Sequence, residues 1–164
     1  MNKKAVDQQI FVYIFAMLVI ALTIFFGIKV ILGVNETAKG VETAVFKSEV
    51  DNIVQKFYTY SPGSKAKLEV KGVPAGIKAV CFIDLTTPLS LANIPYDDVK
   101  LLAQANEGSR RNVFFARSSS SYATPEPIEI PKLKPSPNPL CIMINLQQIL
   151  EAKLENEGTQ VTIK

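Results

Sequence analysis

The chain has 164 residues, 18 Lys or Arg against 15 Asp or Glu, no His and no Trp, for a formal net charge of +3. The missing His removes the commonest general base and the commonest metal ligand. Beyond residue 33 the balance is 15 basic against 14 acidic residues with no basic block, which excludes the electrostatic footprint of a nucleic-acid binder.

Residues 1–9 form a short basic leader, with Lys3 and Lys4 opposed by Asp7. Residues 10–32 then read IFVYIFAMLVIALTIFFGIKVIL, uncharged from Ile10 to Ile28. A bilayer core of roughly 30 Å takes roughly 20 apolar helical residues, so the segment has spanning length. A cleaved secretory signal has a shorter apolar region and a small-residue cleavage site; Gly27-Ile28-Lys29-Val30 is a poor one. A buried core helix is rarely apolar all round for this many turns. A retained transmembrane helix is therefore expected, with Tyr13 and Lys29 as interface anchors, the lysine by snorkelling. The positive-inside rule slightly favours a cytoplasmic N-terminus, and the short leader and downstream cysteines place the C-terminal domain outside the cell membrane.

Residues 33–60 predict an amphipathic helix, either continuous with the transmembrane helix or joined to it by a bend, that serves as the spine of the outer domain. Val34, Ala38, Val41 and Val45 recur at helical spacing, and Phe46, Val50, Ile53, Phe57 and Tyr60 continue on a shifted stripe. Asn35-Glu36-Thr37 is both a glycosylation sequon and a source of helix-capping side chains.

Residues 61–164 predict an extracytoplasmic α+β domain. Ser61-Pro62-Gly63-Ser64 stops the helix. Alternation at Leu68 and Val70 gives a half-exposed strand, Val73-Pro74-Ala75-Gly76 a turn, and residues 78–85 a more buried strand. These two strands read as a hairpin. Asp84 begins a loop. Pro95, Asp97 and Asp98 suit the first turn of a short helix that Gly108 stops. Arg110 and Arg111 precede a strand at 112–117; a solvated edge is the plain reading and contact with lipid phosphates the sharper one. Residues 125–139 hold six prolines, so the segment reads as an extended loop. It is either a solvated crossover or a contact surface, with Ile128 and Ile130 as a possible edge strand. Residues 140–145 read as a strand. Leu146, Ile149, Leu150 and Leu154 repeat at helical spacing, and Val161 and Ile163 alternate in a last short strand. The whole predicts an antiparallel sheet of four to six strands with short helices, packed on the N-terminal helix.

Cys81 and Cys141 each lie in a predicted strand. In the cytosol they would be inert buried thiols; on the outer side of a membrane they are expected to be bonded, which the adjoining of their strand faces would allow.

Lys3-Lys4-Ala5-Val6, a few polar residues and an unbroken apolar helix resemble the N-terminus of archaeal type IV pilin-like proteins. The resemblance implies a basic leader at Lys3 and Lys4, cut after Ala5, and a mature helix packed in the core of a filament. Many pilins carry a Glu five places after the cut, where this chain has Ile10. The IFVYIFA start, the Phe46-Lys47 pair and the Cys81-Phe82-Ile83-Asp84 strand are also similar to uncharacterised single-pass archaeal membrane proteins.

No GxSxG, P-loop, CxxC or HExxH motif is present, and a Ser or Cys nucleophile would have no His to activate it. Adjacent Asp97 and Asp98 alone fall short of the oxygen ligands that Ca²⁺ takes. No cofactor, metal or nucleic acid is therefore expected. The function expected is non-enzymatic: a pilin-like or envelope-assembly subunit whose partners are the lipid bilayer, its own copies through the N-terminal helix, or other envelope proteins. The alternative is a monomeric anchored binding domain that presents the Pro-rich loop at 125–139. More remote is an anchored enzyme that works without His.

Overall fold

The structure is a computed structural model that describes residues 3–120, 122 and 124–164; within the first helix, side chains are described at 12–29 and from 40 onward. The fold is α+β. Helix α1 is assigned over Lys3–Tyr58. Two compact units divide the chain, Met1–Ala38 and Lys39–Lys164.

Within Lys39–Lys164 the chain forms strands β1 (Lys65–Val70) and β2 (Ile77–Phe82), a 3-10 turn at Leu91–Asn93, helix α2 (Asp97–Ala105), and strands β3 (Val113–Arg117), β4 (Leu133–Pro135), β5 (Leu140–Met143), β6 (Leu150–Asn156) and β7 (Val161–Ile163). Two sheets result, one in the order β1-β6-β7-β4 and one in the order β3-β2-β5. All described pairings are antiparallel except β4 with β7, which is parallel.

Two hydrophobic clusters organise this unit. The larger joins Phe46, Val50, Val54 and Phe57 of α1 to the inner face of the four-stranded sheet and to one face of the three-stranded sheet. Phe46 meets Phe115 edge-on with ring centroids 5.5 Å apart, a favoured aromatic geometry. The smaller lies on the other face of the three-stranded sheet, where Cys81, Ile83, Phe114 and Ala116 meet Val99 and Ala103 of α2. That sheet is therefore covered on both faces, which is why β3 is a continuous apolar run, Val-Phe-Phe-Ala. Alternate residues serve opposite clusters: Val113 and Phe115 one, Phe114 and Ala116 the other. A register shift between Ile77 and Ala79 lets β2 do the same.

Several expectations are corrected. The two strands at 65–85 do not form a hairpin: β1 pairs with β6, and β2 pairs with β3 and β5. Local adjacency gave way because β1 keeps one polar face and β2 keeps none, so the two belong to different layers. In place of one antiparallel sheet there are two sheets with a parallel pair. The helix read from Leu146 onward is instead a turn followed by strand β6 over Leu150–Asn156. Leu150, Ala152, Leu154 and Asn156 are buried while Glu151 and Lys153 face out, a period of two that coexists in these residues with the spacing of three and four. Leu146 is fully exposed, so it belongs to no apolar stripe. On α1, Val41 and Val45 are exposed and Val54 is buried; the inward stripe begins at Phe46. Tyr96 occupies the N-cap of α2, so Pro95 precedes the helix rather than opening it. Ile128 makes one isolated bridge to Val113, and the strand in this region is β4.

Residues 61–64 end α1 as expected, but the end is completed from far away. Asn156, on β6, is buried and donates its side-chain amide to the carbonyls of Phe57, Tyr58 and Tyr60 at 3.1, 3.1 and 2.9 Å. Those carbonyls belong to the last turn of α1 and the residues just after it, where intrahelical partners run out; the Phe57 carbonyl also accepts from the Tyr60 N–H at 3.1 Å. Asn156 Oδ1 accepts from the Gly158 N–H at 2.7 Å.

Candidate functional site

The apolar segment is the first feature with a functional bearing. One helix is long and apolar enough to cross a membrane, over Val12–Lys29. Its large apolar side chains range from 44% exposed at Val19 to 74% at Met17. A core helix buries a stripe; this segment buries none of its described side chains. The Thr23 hydroxyl donates to the Val19 carbonyl at 2.8 Å, which satisfies that polar group within its own helix, as hydrocarbon surroundings require. Tyr13 and Lys29 stand near the two ends of the segment, both exposed. The side chains of Lys3, Lys4, Ala5 and of the sequon at 35–37 lie outside the described ones, as does the structure of residues 1–2.

Cys81 and Cys141 are bonded, with S–S 2.05 Å and Cα atoms 4.0 Å apart. They are Cα partners in the β2–β5 register. The Ile144 N–H donates to the Lys78 carbonyl at 2.9 Å, which makes positions 144, 142 and 140 the hydrogen-bonded ones. Cys141 and Met143 then fall on non-bonded pairs, where Cα atoms approach closest.

The Pro-rich segment at 125–139 is only partly a loop. Ile130 and Leu133 are buried in the larger cluster, and the Ser136-Pro137 and Asn138-Pro139 bonds are cis. Its first part lines an apolar cleft of about 400 Å³ with Gly40, Ala44, Pro74 and Tyr122. Beneath Tyr122 lies Gly76 at φ +79°, where an added Cβ would come within 2.4 Å of the ring. Glycine is therefore required there for both backbone and space.

A second, smaller cleft of about 240 Å³ gathers Arg110, Arg111, Lys132, Lys134, Asp84 and Glu129. Its cations are partly engaged. Lys134 pairs with Asp84 at 3.3 Å, the Lys132 ammonium stands 3.5 Å over the Tyr58 ring, and Arg111 donates to Asn106 Oδ1 at 3.2 Å. Arg110 and Arg111 are exposed.

Asp84 begins a loop, as read from sequence. Its Oδ1 accepts from the Thr86 N–H at 2.9 Å and the Thr86 hydroxyl at 2.6 Å. Burial acts to raise its pKa, but these bonds and the Lys134 ammonium outweigh burial and hold it below the usual carboxylate range. A folded pKa below the unfolded one gives stability that is present above the unfolded value of about 3.9 and is lost as pH falls through the folded pKa. Asp84→Ala is expected to cost roughly 1–3 kcal/mol at neutral pH and to flatten the acid limb of a stability-versus-pH curve from chemical denaturation. An unchanged acid limb would contradict this assignment.

The acidic pair on α2 is spent on structure. Asp98 accepts from the Arg117 N–H at 2.9 Å and the Val99 N–H at 3.1 Å, and Asp97 pairs with Lys100 at 3.3 Å. Among the described residues, no group of three or more His, Cys, Asp or Glu could hold a metal ion. The features that stand out among the described residues are an exposed apolar helix, a cross-linked sheet and shallow clefts. Asn156, which ties the helix end to β6, was not marked by any sequence signal, since one Asn before an acidic turn has no motif. Compared with protein-family models, curated proteins and solved structures, the chain has no match.

Proposed function

We propose that the chain is a single-pass, N-terminally anchored subunit of an envelope assembly, pilin-like in plan and not an enzyme. Its N-terminus is cytoplasmic and its α+β unit lies outside the cell membrane. The observation that carries this reading is the exposed apolar stretch Val12–Lys29 in a chain whose second unit buries its own core. The disulfide adds support, because such bonds persist in oxidising compartments. On this reading Tyr13 and Lys29 sit at the two interfaces and residues 125–139 belong to the outer surface.

In the test, native membranes are washed with alkaline carbonate. The chain is expected to stay in the pellet, and Leu18→Arg with Leu22→Arg is expected to release it. Two arginines near the middle of a span cost roughly 5–7 kcal/mol on insertion scales. Release of the unaltered chain would overturn the anchor. Mass spectrometry of the native N-terminus separates the pilin-like plan from a plain anchor: removal of the leader after Ala5 supports the first, and an intact Met1 counts against it. A second reading is a monomeric anchored binding domain. The apolar cleft lined by Tyr122 and by Pro125 and Pro127 favours it, and a monomer in detergent would strengthen it.

A further inference from the structure

From the outer strand β5, we infer that two copies of this chain pair antiparallel along β5, continuing the three-stranded sheet across a two-fold axis. This goes beyond the anchoring reading and does not depend on it. The two sheets have four outer strands: β1, β4, β3 and β5. Three of them carry the features that keep edges from pairing. Strand β1 has Lys65 and Lys67, of which Lys67 pairs with Glu151 at 2.8 Å. Strand β4 has Lys134 and Pro135. Strand β3 is capped by the Ile128 bridge, with Ile128 and Val113 exchanging backbone bonds at 3.0 and 3.1 Å. Strand β5 is short and follows Pro139, but within Leu140–Met143 it carries no charge, no proline and no capping bridge. It lies in a run, residues 135–150, without a single charge.

The register says which groups the open edge presents. Positions 140, 142 and 144 face β2, as the bond from Ile144 to Lys78 fixes. The N–H and C=O of Cys141 and Met143 therefore point away from the sheet, and among the described residues they have no backbone partner. Two donors and two acceptors on alternate residues are self-complementary. With Ile142 opposite Ile142 of the second copy, Cys141 meets Met143 and Met143 meets Cys141, and four backbone bonds close symmetrically. The disulfide holds Cys141 to β2, so the edge is preformed.

The side chains fit the same occupant. Met143 is 78% exposed and Leu146 is wholly so. Asn145 sets the turn that presents Leu146, its Oδ1 accepting from the N–H groups of Gln147 and Ile149 at 3.0 and 2.9 Å. In this pairing the exposed Leu146 lies just past the end of β5, at the rim of the paired strands. A charged partner peptide would find no countercharge on this strand.

The test uses the full chain in detergent micelles and follows amide hydrogen exchange by NMR at low and high protein concentration. Exchange at Cys141 and Met143 is expected to slow by about tenfold or more at high concentration, while Ile142, already bonded to β2, changes little. Met143→Lys is expected to abolish that protection, and Leu101→Lys, a charge placed on an exposed apolar residue of α2, to leave it. Retained protection at Ile142 verifies that the lysine variant is folded. Association through the apolar helix would not protect these two amides. Exchange at Cys141 and Met143 that ignores concentration, or protection that survives Met143→Lys, would overturn the proposal whether or not the chain is anchored.

Discussion

Replacing Cys81 and Cys141 together by alanine is expected to lower stability by about 4 kcal/mol, by the loop-entropy estimate for a cross-link of this span. For a domain of this size that corresponds to a fall in Tm of roughly 10–20 °C. The cysteines stand 60 positions apart in the chain, so the bond removes much freedom from the unfolded state. It also joins β2, the central strand of its sheet, to β5, an outer strand with one neighbour. Thermal unfolding of the full chain in mild detergent, with and without reductant, measures the effect. The reduced wild type and the double variant are expected to unfold at the same temperature. A difference below about 3 °C between oxidised and reduced protein would mean that the cross-link contributes little. The same bond bears on location: natively purified protein is expected to show no thiol before reduction, and two reactive thiols would argue for a reducing compartment.

The second large effect is expected at Asn156. Asn156→Ala removes the donor to three carbonyls at the end of α1 and the acceptor for Gly158. Leaving a buried polar group without a partner costs roughly 1–3 kcal/mol; two of these carbonyls are only part-buried and Phe57 keeps the Tyr60 N–H, so a loss of about 2–4 kcal/mol is expected. The backbone of Asn156 holds the same turn, donating to Ser64 at 3.0 Å and accepting from Gly63 at 2.7 Å, and those bonds remain in the variant. Denaturant unfolding checks the magnitude. Asn156→Asp separates the two roles, because a carboxylate can still accept from Gly158 but cannot donate to carbonyls. It is expected to be at least as destabilising as alanine at neutral pH. Wild-type stability in Asn156→Asp would show that the amide donor is unimportant.

Features that depend on neighbours in sequence were legible. Residues 10–32 announce an apolar helix of spanning length because length and the absence of charge from Ile10 to Ile28 are local properties. Leu68 and Val70 announce a half-buried strand by strict alternation, and Val-Phe-Phe-Ala announces a strand, though not that both of its faces are covered. Asp84 as a loop-starting residue follows from the Thr two places on. The facing of Cys81 and Cys141 was anticipated from the strand faces they share.

Other features were not legible because a distant partner decides them. Residues 150–156 satisfy both a helical and an alternating pattern, and pairing with β1 and β7 selects the strand. Val41 and Val45 match a helical stripe, yet the sheets meet α1 only from Phe46 onward. The β1–β2 hairpin fails because β1 has a polar face and β2 has none, so they belong to different layers. Asn156 could not be found from sequence, since its three acceptors lie almost a hundred residues earlier. By itself, then, the sequence determined the apolar segment, the α+β class and the places of β1, β2, β3, β5 and β7, all set by local periodicity and charge. Only the tertiary structure decided which strands pair, that they form two sheets instead of one, how the end of α1 is satisfied, and that β5 keeps an open edge. Each of those depends on hydrogen bonds and apolar contacts between segments far apart in the chain, where local pattern carries no information about register.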